Sequence, residues 1–106
     1  MAATYKLSQA YKVGEKNFSE LKVETEDGVV RTGLVLQLLS EFQMTFPGIY
    51  EASRFKIQEE HFLTLALAKF NGLSLEELNE LPVTEWLPAI AEVASNFLKK
   101  SGETKN

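Results

Sequence analysis

Apolar and polar residues alternate along the first part of the chain. From Thr4 to Val13 the odd positions Tyr5, Leu7, Tyr11 and Val13 are apolar, whereas Lys6, Ser8 and Lys12 are polar. This period-2 pattern predicts a half-buried β-strand whose face is interrupted at Gln9. Gly14-Glu15-Lys16-Asn17 supplies turn residues, and Asn17–Thr25 alternates again through Leu21 and Val23. Together the segments predict a β-hairpin. A second turn signal, Glu26-Asp27-Gly28, precedes Val29-Val30, which could continue as a third strand or lead into a helix.

The period then changes. Leu34, Val35, Leu38, Leu39, Phe42 and Phe46 form an apolar stripe at helical spacing, with Thr32 as candidate N-cap. Pro47-Gly48 should end or bend that helix. The stretch Met44–Ile57 follows neither period cleanly and is expected to be helical from Tyr50 onward. A wider apolar face at Phe62, Leu63, Leu65, Ala66, Leu67 and Phe70 predicts a core helix from about Gln58, stopped by Asn71-Gly72.

Ser74-Leu75-Glu76-Glu77 matches a capping box, flanked by Leu73 and Leu78 in the positions of a hydrophobic staple. It predicts a short helix to about Leu81, which Pro82 ends. Thr84 is a candidate cap for a last helix from about Glu85, with Pro88 at its fourth position. Trp86, Ile90, Val93, Ala94 and Phe97 line one face of that helix. Lys99 and Lys100 would oppose the negative end of its dipole, and residues 101–106 read as a disordered tail. The expected fold class is α+β, an N-terminal β-hairpin followed by three or four helices, forming a single domain over residues 1–100.

Composition narrows the function classes. Surface scaling for a chain of 106 residues implies burial of roughly 65% of the unfolded surface, enough for a core without staples. The chain contains no Cys, which removes disulfides, thiol nucleophiles and cysteine metal sites. Eleven Lys and Arg against 15 Asp and Glu leave a net charge of −4, which opposes the counterion-release term of nucleic-acid binding. No apolar run approaches membrane-spanning length, and the polar Thr4–Ser8 start does not resemble a signal peptide. The expectation is a cytoplasmic protein with neither nucleic acid nor membrane as partner.

The chemistry-bearing residues are sparse. Glu59-Glu60-His61 is the one cluster of ligand-type side chains, but adjacent helical positions diverge by about 100°, so it reads as a solvated helix face. Glu76, Glu77 and Glu80 fall in the first turns of a predicted helix, where the dipole and capping account for them. No phosphate-loop pattern accompanies Gly28 or Gly33. We therefore expect no catalytic residue, metal or cofactor, and a binding protein rather than an enzyme. Met, Phe, Tyr and Ile without a regular period often line adaptable protein-binding surfaces. Met44, Phe46, Ile49, Tyr50 and Phe55 are accordingly the candidate partner-binding residues.

Two blocks carry a family resemblance: Ala10–Val23, reading AYKVGEKNFSELKV, and Leu65–Leu98, which contains Phe70-Asn71-Gly72-Leu73-Ser74-Leu75-Glu76-Glu77-Leu78, Leu81 and Trp86-Leu87. In this order they resemble the small tail assembly chaperones of contractile-tailed bacteriophages, over most of residues 4–98. The segment Phe46–Ile57 is longer than in that family, and no Pro follows the second strand. The resemblance implies a non-enzymatic protein of the bacterial host cytoplasm. It would keep the tape-measure protein soluble, help to recruit tail-tube subunits, and be absent from the finished tail; self-association is left open. The alternative is a structural subunit of a phage tail or a tail-derived injection particle.

Overall fold

The computed structural model describes residues 3–98, so the expected tail 101–106 and the Lys99-Lys100 pair lie outside the described residues. Strand β1 (Thr4–Val13) and strand β2 (Lys16–Lys22) form an antiparallel hairpin. Gly14 and Glu15 alone connect them, and only Gly14 has a positive φ, 61°. That combination matches a type II′ turn, whose twist suits a two-residue hairpin. Lys16 and Asn17, expected in the turn, are instead the first residues of β2.

The irregularity at Gln9 is larger than one misplaced side chain. Lys6 pairs with Glu20 and Tyr11 with Phe18, so Leu7, Ser8, Gln9 and Ala10 face Ser19 alone. The extra length bends β1 and re-aims its side chains. On the hairpin's core side Val13 and Leu21 are buried, while Tyr5, Leu7, Tyr11 and Phe18 pack half-buried on the core.

No third strand forms after Gly28 among the described residues. The Asp27 carboxylate accepts the Val29 amide at 3.1 Å and pairs with Arg31 at 2.9 Å, and Thr25 donates to the Val29 carbonyl at 3.0 Å. These local bonds use backbone groups that a strand ladder would need.

Helix α1 spans Thr32–Thr45 and buries Leu38 and Phe42. Its N-cap is Arg31 without a side-chain bond, which corrects the expected cap at Thr32: that residue is already helical. Pro47 ends α1 and also starts α2 (Pro47–Ala52), because its missing amide costs nothing at a first helical position. Helix thus resumes three residues before Tyr50. Phe46 joins the two helices, donating its amide to Phe42 and accepting from Tyr50. The Ser53 hydroxyl donates to the Ile49 carbonyl at the end of α2.

A 3₁₀ turn, Lys56–Gln58, leads to α3 (Glu60–Phe70), the central helix, which buries six of its 11 residues. Glu59 caps it by accepting the His61 amide at 2.7 Å. At its other end Gly72, with φ 66°, donates to Lys69 while Leu73 donates to Ala68. This is a Schellman motif, and it needs the left-handed residue that Gly supplies.

Helix α4 (Leu75–Leu78) has the reciprocal capping box between Ser74 and Glu77, with Leu73 and Leu78 both buried. Helix α5 runs Val83–Leu98. It starts two residues before Glu85, so Thr84 lies inside the helix and is not its cap, and Pro88 is the sixth residue. The Glu85 amide bonds back to the Pro82 carbonyl, which closes the first turn.

The hairpin followed by helices gives the expected α+β fold, with α2 the short helix formed in the stretch of unclear period. One apolar cluster unites β1, β2, α1, α3, α4 and α5, with Phe42, Phe62, Leu67, Leu78 and Val93 fully enclosed. No polar residue is buried among the described residues. Polar bonds hold the hairpin to the helices, the Lys16 ammonium donating to the Gly72 carbonyl at 3.1 Å among them. Asn71 brackets Lys22, Asn96 donates to the Val23 carbonyl at 2.9 Å, and Glu85 takes the Ser8 amide at 3.0 Å.

Candidate docking groove

The five residues expected to bind a partner differ in burial. Phe42 is their anchor: the Tyr50 ring meets it edge-on at 5.4 Å and the Phe46 ring lies at 6.5 Å. Phe46, Ile49 and Tyr50 are thereby half-buried, closing the core where α1 turns into α2. The Lys56 ammonium covers the outer face of Tyr50 at 4.5 Å. Met44 and Phe55 stand free instead, 81% and 65% exposed. The Arg54 guanidinium lies 5.9 Å from the Phe55 ring.

Phe46 also forms one end of a groove of about 330 Å³ between α3, α4 and α5. Leu75, Trp86, Leu87 and Ile90 supply its apolar walls; Glu60, His61, Thr64 and Asn79 supply polar positions. The volume sits at the low end of the roughly 300–1,000 Å³ typical of ligand clefts. Leu75 and Asn79, at the start and just past the end of the one-turn helix α4, bring it to the groove beside residues of α3 and α5. Trp86 is fixed by its indole N–H, which donates to the Leu81 carbonyl at 3.2 Å. Leu87 is the solvent-facing wall, 48% exposed.

The polar positions are mostly committed. His61 Nδ1 lies 3.0 Å from a Glu59 oxygen, and its ring sits 4.7 Å from Phe46. The Thr64 hydroxyl donates to the Glu60 carbonyl one turn back. The Glu59-Glu60-His61 cluster is therefore a helix cap with one groove-facing imidazole, more ordered than a solvated face. Among the described residues no three His, Asp or Glu side chains gather into a metal-binding group. Glu76 and Glu77 lie in the first turn of α4, Glu77 forming the box itself, whereas Glu80, expected in the same helix, lies beyond its last residue Leu78. Glu60 is the one formal charge among the lining residues, so the groove favours an occupant with a basic group at that end.

Sequence reasoning placed Trp86 and Ile90 in the core stripe and passed over Leu87. The available signal was a second apolar line on α5: Val83 and Leu87 lie at i and i+4, off the core face, and both are about half exposed.

Glu85, on the first turn of α5, forms a separate polar cluster. Its carboxylate accepts from the Ser8 hydroxyl, the Tyr11 hydroxyl at 2.7 Å and the Ser8 amide. These donors, the Ser8 hydroxyl foremost, hold its pKa below the ordinary carboxylate value. The bulge in β1 is what brings both hydroxyls to one carboxylate.

No family model matches the chain, and neither curated proteins nor solved structures offer a significant match. No helix among the described residues is long and apolar enough to cross a membrane.

Proposed function

We propose that the protein is a non-enzymatic tail assembly chaperone of a contractile-tailed phage, acting in the bacterial host cytoplasm. It shields apolar stripes of the tape-measure protein and helps bring tail-tube subunits to it. The observation that carries this reading is the groove between α3, α4 and α5: an apolar trough with an exposed Leu87, a fixed Trp86 and one acidic end. A long helical partner with i, i+4 apolar residues and basic flanks suits such a trough, the aromatic wall supplying affinity and Glu60 the orientation. The family resemblance of Ala10–Val23 and Leu65–Leu98 names the partner; the groove supports the mode of capture.

The test is co-expression with the tape-measure protein encoded beside it, in native form and as Leu87→Asp. The reading requires the partner to become soluble and to co-purify with the native chain, and the exposed Leu87→Asp variant to fold but lose it. A partner that stays insoluble beside a folded native chain would refute the chaperone role. Retention of the protein in purified particles, read by mass spectrometry, would favour the structural-subunit alternative.

A further inference from the structure

The charges of this acidic chain are segregated. Residues 4–22 carry Lys6, Lys12, Lys16 and Lys22 against Glu15 and Glu20, a net +2, whereas residues 23–98 carry a net −8. The basic part is also where the second large concavity lies. A recess of about 560 Å³ opens between β2 and the C-terminal end of α3, lined by Lys16, Asn17, Phe18, Lys22, Phe70 and Asn71. No carboxylate lines it.

We propose that this recess is a second docking site, independent of the α3–α4–α5 groove, for an acidic protein segment that carries an aliphatic or aromatic side chain between carboxylates. Phe18 and Phe70 supply the apolar walls, and Phe70 is held in place by stacking on Phe97, with centroids 6.1 Å apart and planes 21° from parallel. Lys16 is positioned by a bond from its ammonium to the Gly72 carbonyl at 3.1 Å, which leaves further N–H groups for a ligand. Lys22 has only a loose contact with exposed Glu26, at 3.7 Å. A ligand carboxylate can replace it.

The mode of binding follows from Asn71. Its carboxamide accepts the Lys22 amide and donates to the Lys22 carbonyl, occupying both backbone groups that an added strand would use there. The ligand is therefore held by side chains and not by strand addition. Exposed ion pairs contribute little alone, so the apolar side chain between the two phenylalanines carries affinity and the lysines select for acid. A nucleic acid fits poorly: two lysines release few counterions, and a long polyanion would run onto the acidic helices.

The experiment is an NMR titration of the isotopically labelled full chain with the blocked hexapeptide Glu-Leu-Glu-Phe-Glu-Leu. Its glutamine counterpart and an oligothymidylate serve as comparators. Saturable shifts at Lys16–Lys22 and Phe70–Gly72 are expected, about tenfold weaker for the glutamine peptide and weakened by added salt. Lys22→Glu, at an exposed position, should abolish them while the spectrum stays dispersed. Lys16→Gln, which keeps no charge but avoids repelling Gly72, should weaken them. The proposal is overturned by an absence of saturable shifts, by equal binding of the glutamine peptide, or by shifts confined to Trp86 and Leu87. Tighter binding of the oligothymidylate at the same residues would overturn it in favour of a nucleic-acid site.

Discussion

Replacing Asn71 by Ala should unlatch the hairpin from the helices. The side chain makes three bonds: it accepts the Lys22 amide at 2.8 Å and donates to the Lys22 carbonyl at 3.0 Å and the Leu67 carbonyl at 2.8 Å. The Lys22 groups are at the surface and regain water, so their loss costs at the low end of the about 0.5–1.5 kcal/mol of a typical bond. The Leu67 carbonyl is worse placed. The Asn71 amide that would normally close the helical turn onto it bonds to Ala68 instead, so the carbonyl loses its partner in a half-buried position, at about 1–2 kcal/mol. The total is about 2–3 kcal/mol, a large share of the roughly 5–15 kcal/mol of a small domain. Urea unfolding should show a lower midpoint at unchanged slope, and the melting temperature should fall by about 10–20 °C. Hydrogen exchange gives a local reading: the Lys22 amide should lose protection more than the Leu21 and Val23 amides, which face β1. Asn71→Asp keeps an acceptor for Lys22 but no donor, and should fall between. A change below about 0.5 kcal/mol, or Lys22 exchange that does not move, would refute the latch.

Five further substitutions probe the other supports. Phe42→Ala removes the fully buried ring against which Phe46, Tyr50 and Phe62 pack, and should cost about 3–5 kcal/mol in denaturant unfolding; Met44→Ala two residues on, 81% exposed, should stay within about 0.5 kcal/mol. Ser74→Ala breaks the capping box of α4 and should cost about 1 kcal/mol by thermal melting. Gly72→Ala forces a left-handed residue and sets a Cβ 3.1 Å from the Lys16 ammonium, which should cost about 1–2 kcal/mol. Glu85→Gln tests the pH dependence. Because the folded pKa of Glu85 lies below its ordinary value, its contribution is present above the unfolded pKa and is lost as pH falls through the folded one. The variant should be less stable at neutral pH and show a shallower acid limb in stability measured against pH.

Where local chemistry and packing demanded the same thing, the fold was legible in the sequence. Ser74 and Glu77 specify a cap wherever a helix can start, and Leu73 and Leu78 are buried whether or not α4 is long. The Phe62–Phe70 face marks α3 because six buried side chains at helical spacing admit no other arrangement. The boundaries misread all turn on residues that can serve two roles. Pro47 stops one helix and starts the next, and the sequence pattern distinguishes the two only once Phe46 and Tyr50 are seen to share Phe42. Thr32 and Thr84 are capping types that fall inside their helices, as first and second residue, where helical backbone geometry replaces the extended geometry of a cap. Asp27 turned Val29-Val30 away from a strand through bonds that alternation does not register.

The candidate partner-binding residues were read from irregular aromatic spacing, which has two physical sources. A stretch lacks a period either when it faces solvent and partners or when two short helices meet at an angle and each contributes one turn to the core. Met44–Ile57 is mainly the second case: Phe46, Ile49 and Tyr50 close the core at the α1–α2 joint, and only Met44 and Phe55 stand out from it. The informative pattern was a surplus of apolar positions on a helix that already had a complete core stripe. Trp86, Ile90, Val93, Ala94 and Phe97 line the inner face of α5, and Val83 and Leu87 lie off it with side chains about half exposed. On the hairpin the same logic applies to charge. Of the four lysines on the hairpin of this acidic chain, two line the recess that Phe18 and Phe70 also line, and the surfaces left over after the fold is satisfied are the ones to probe for partners.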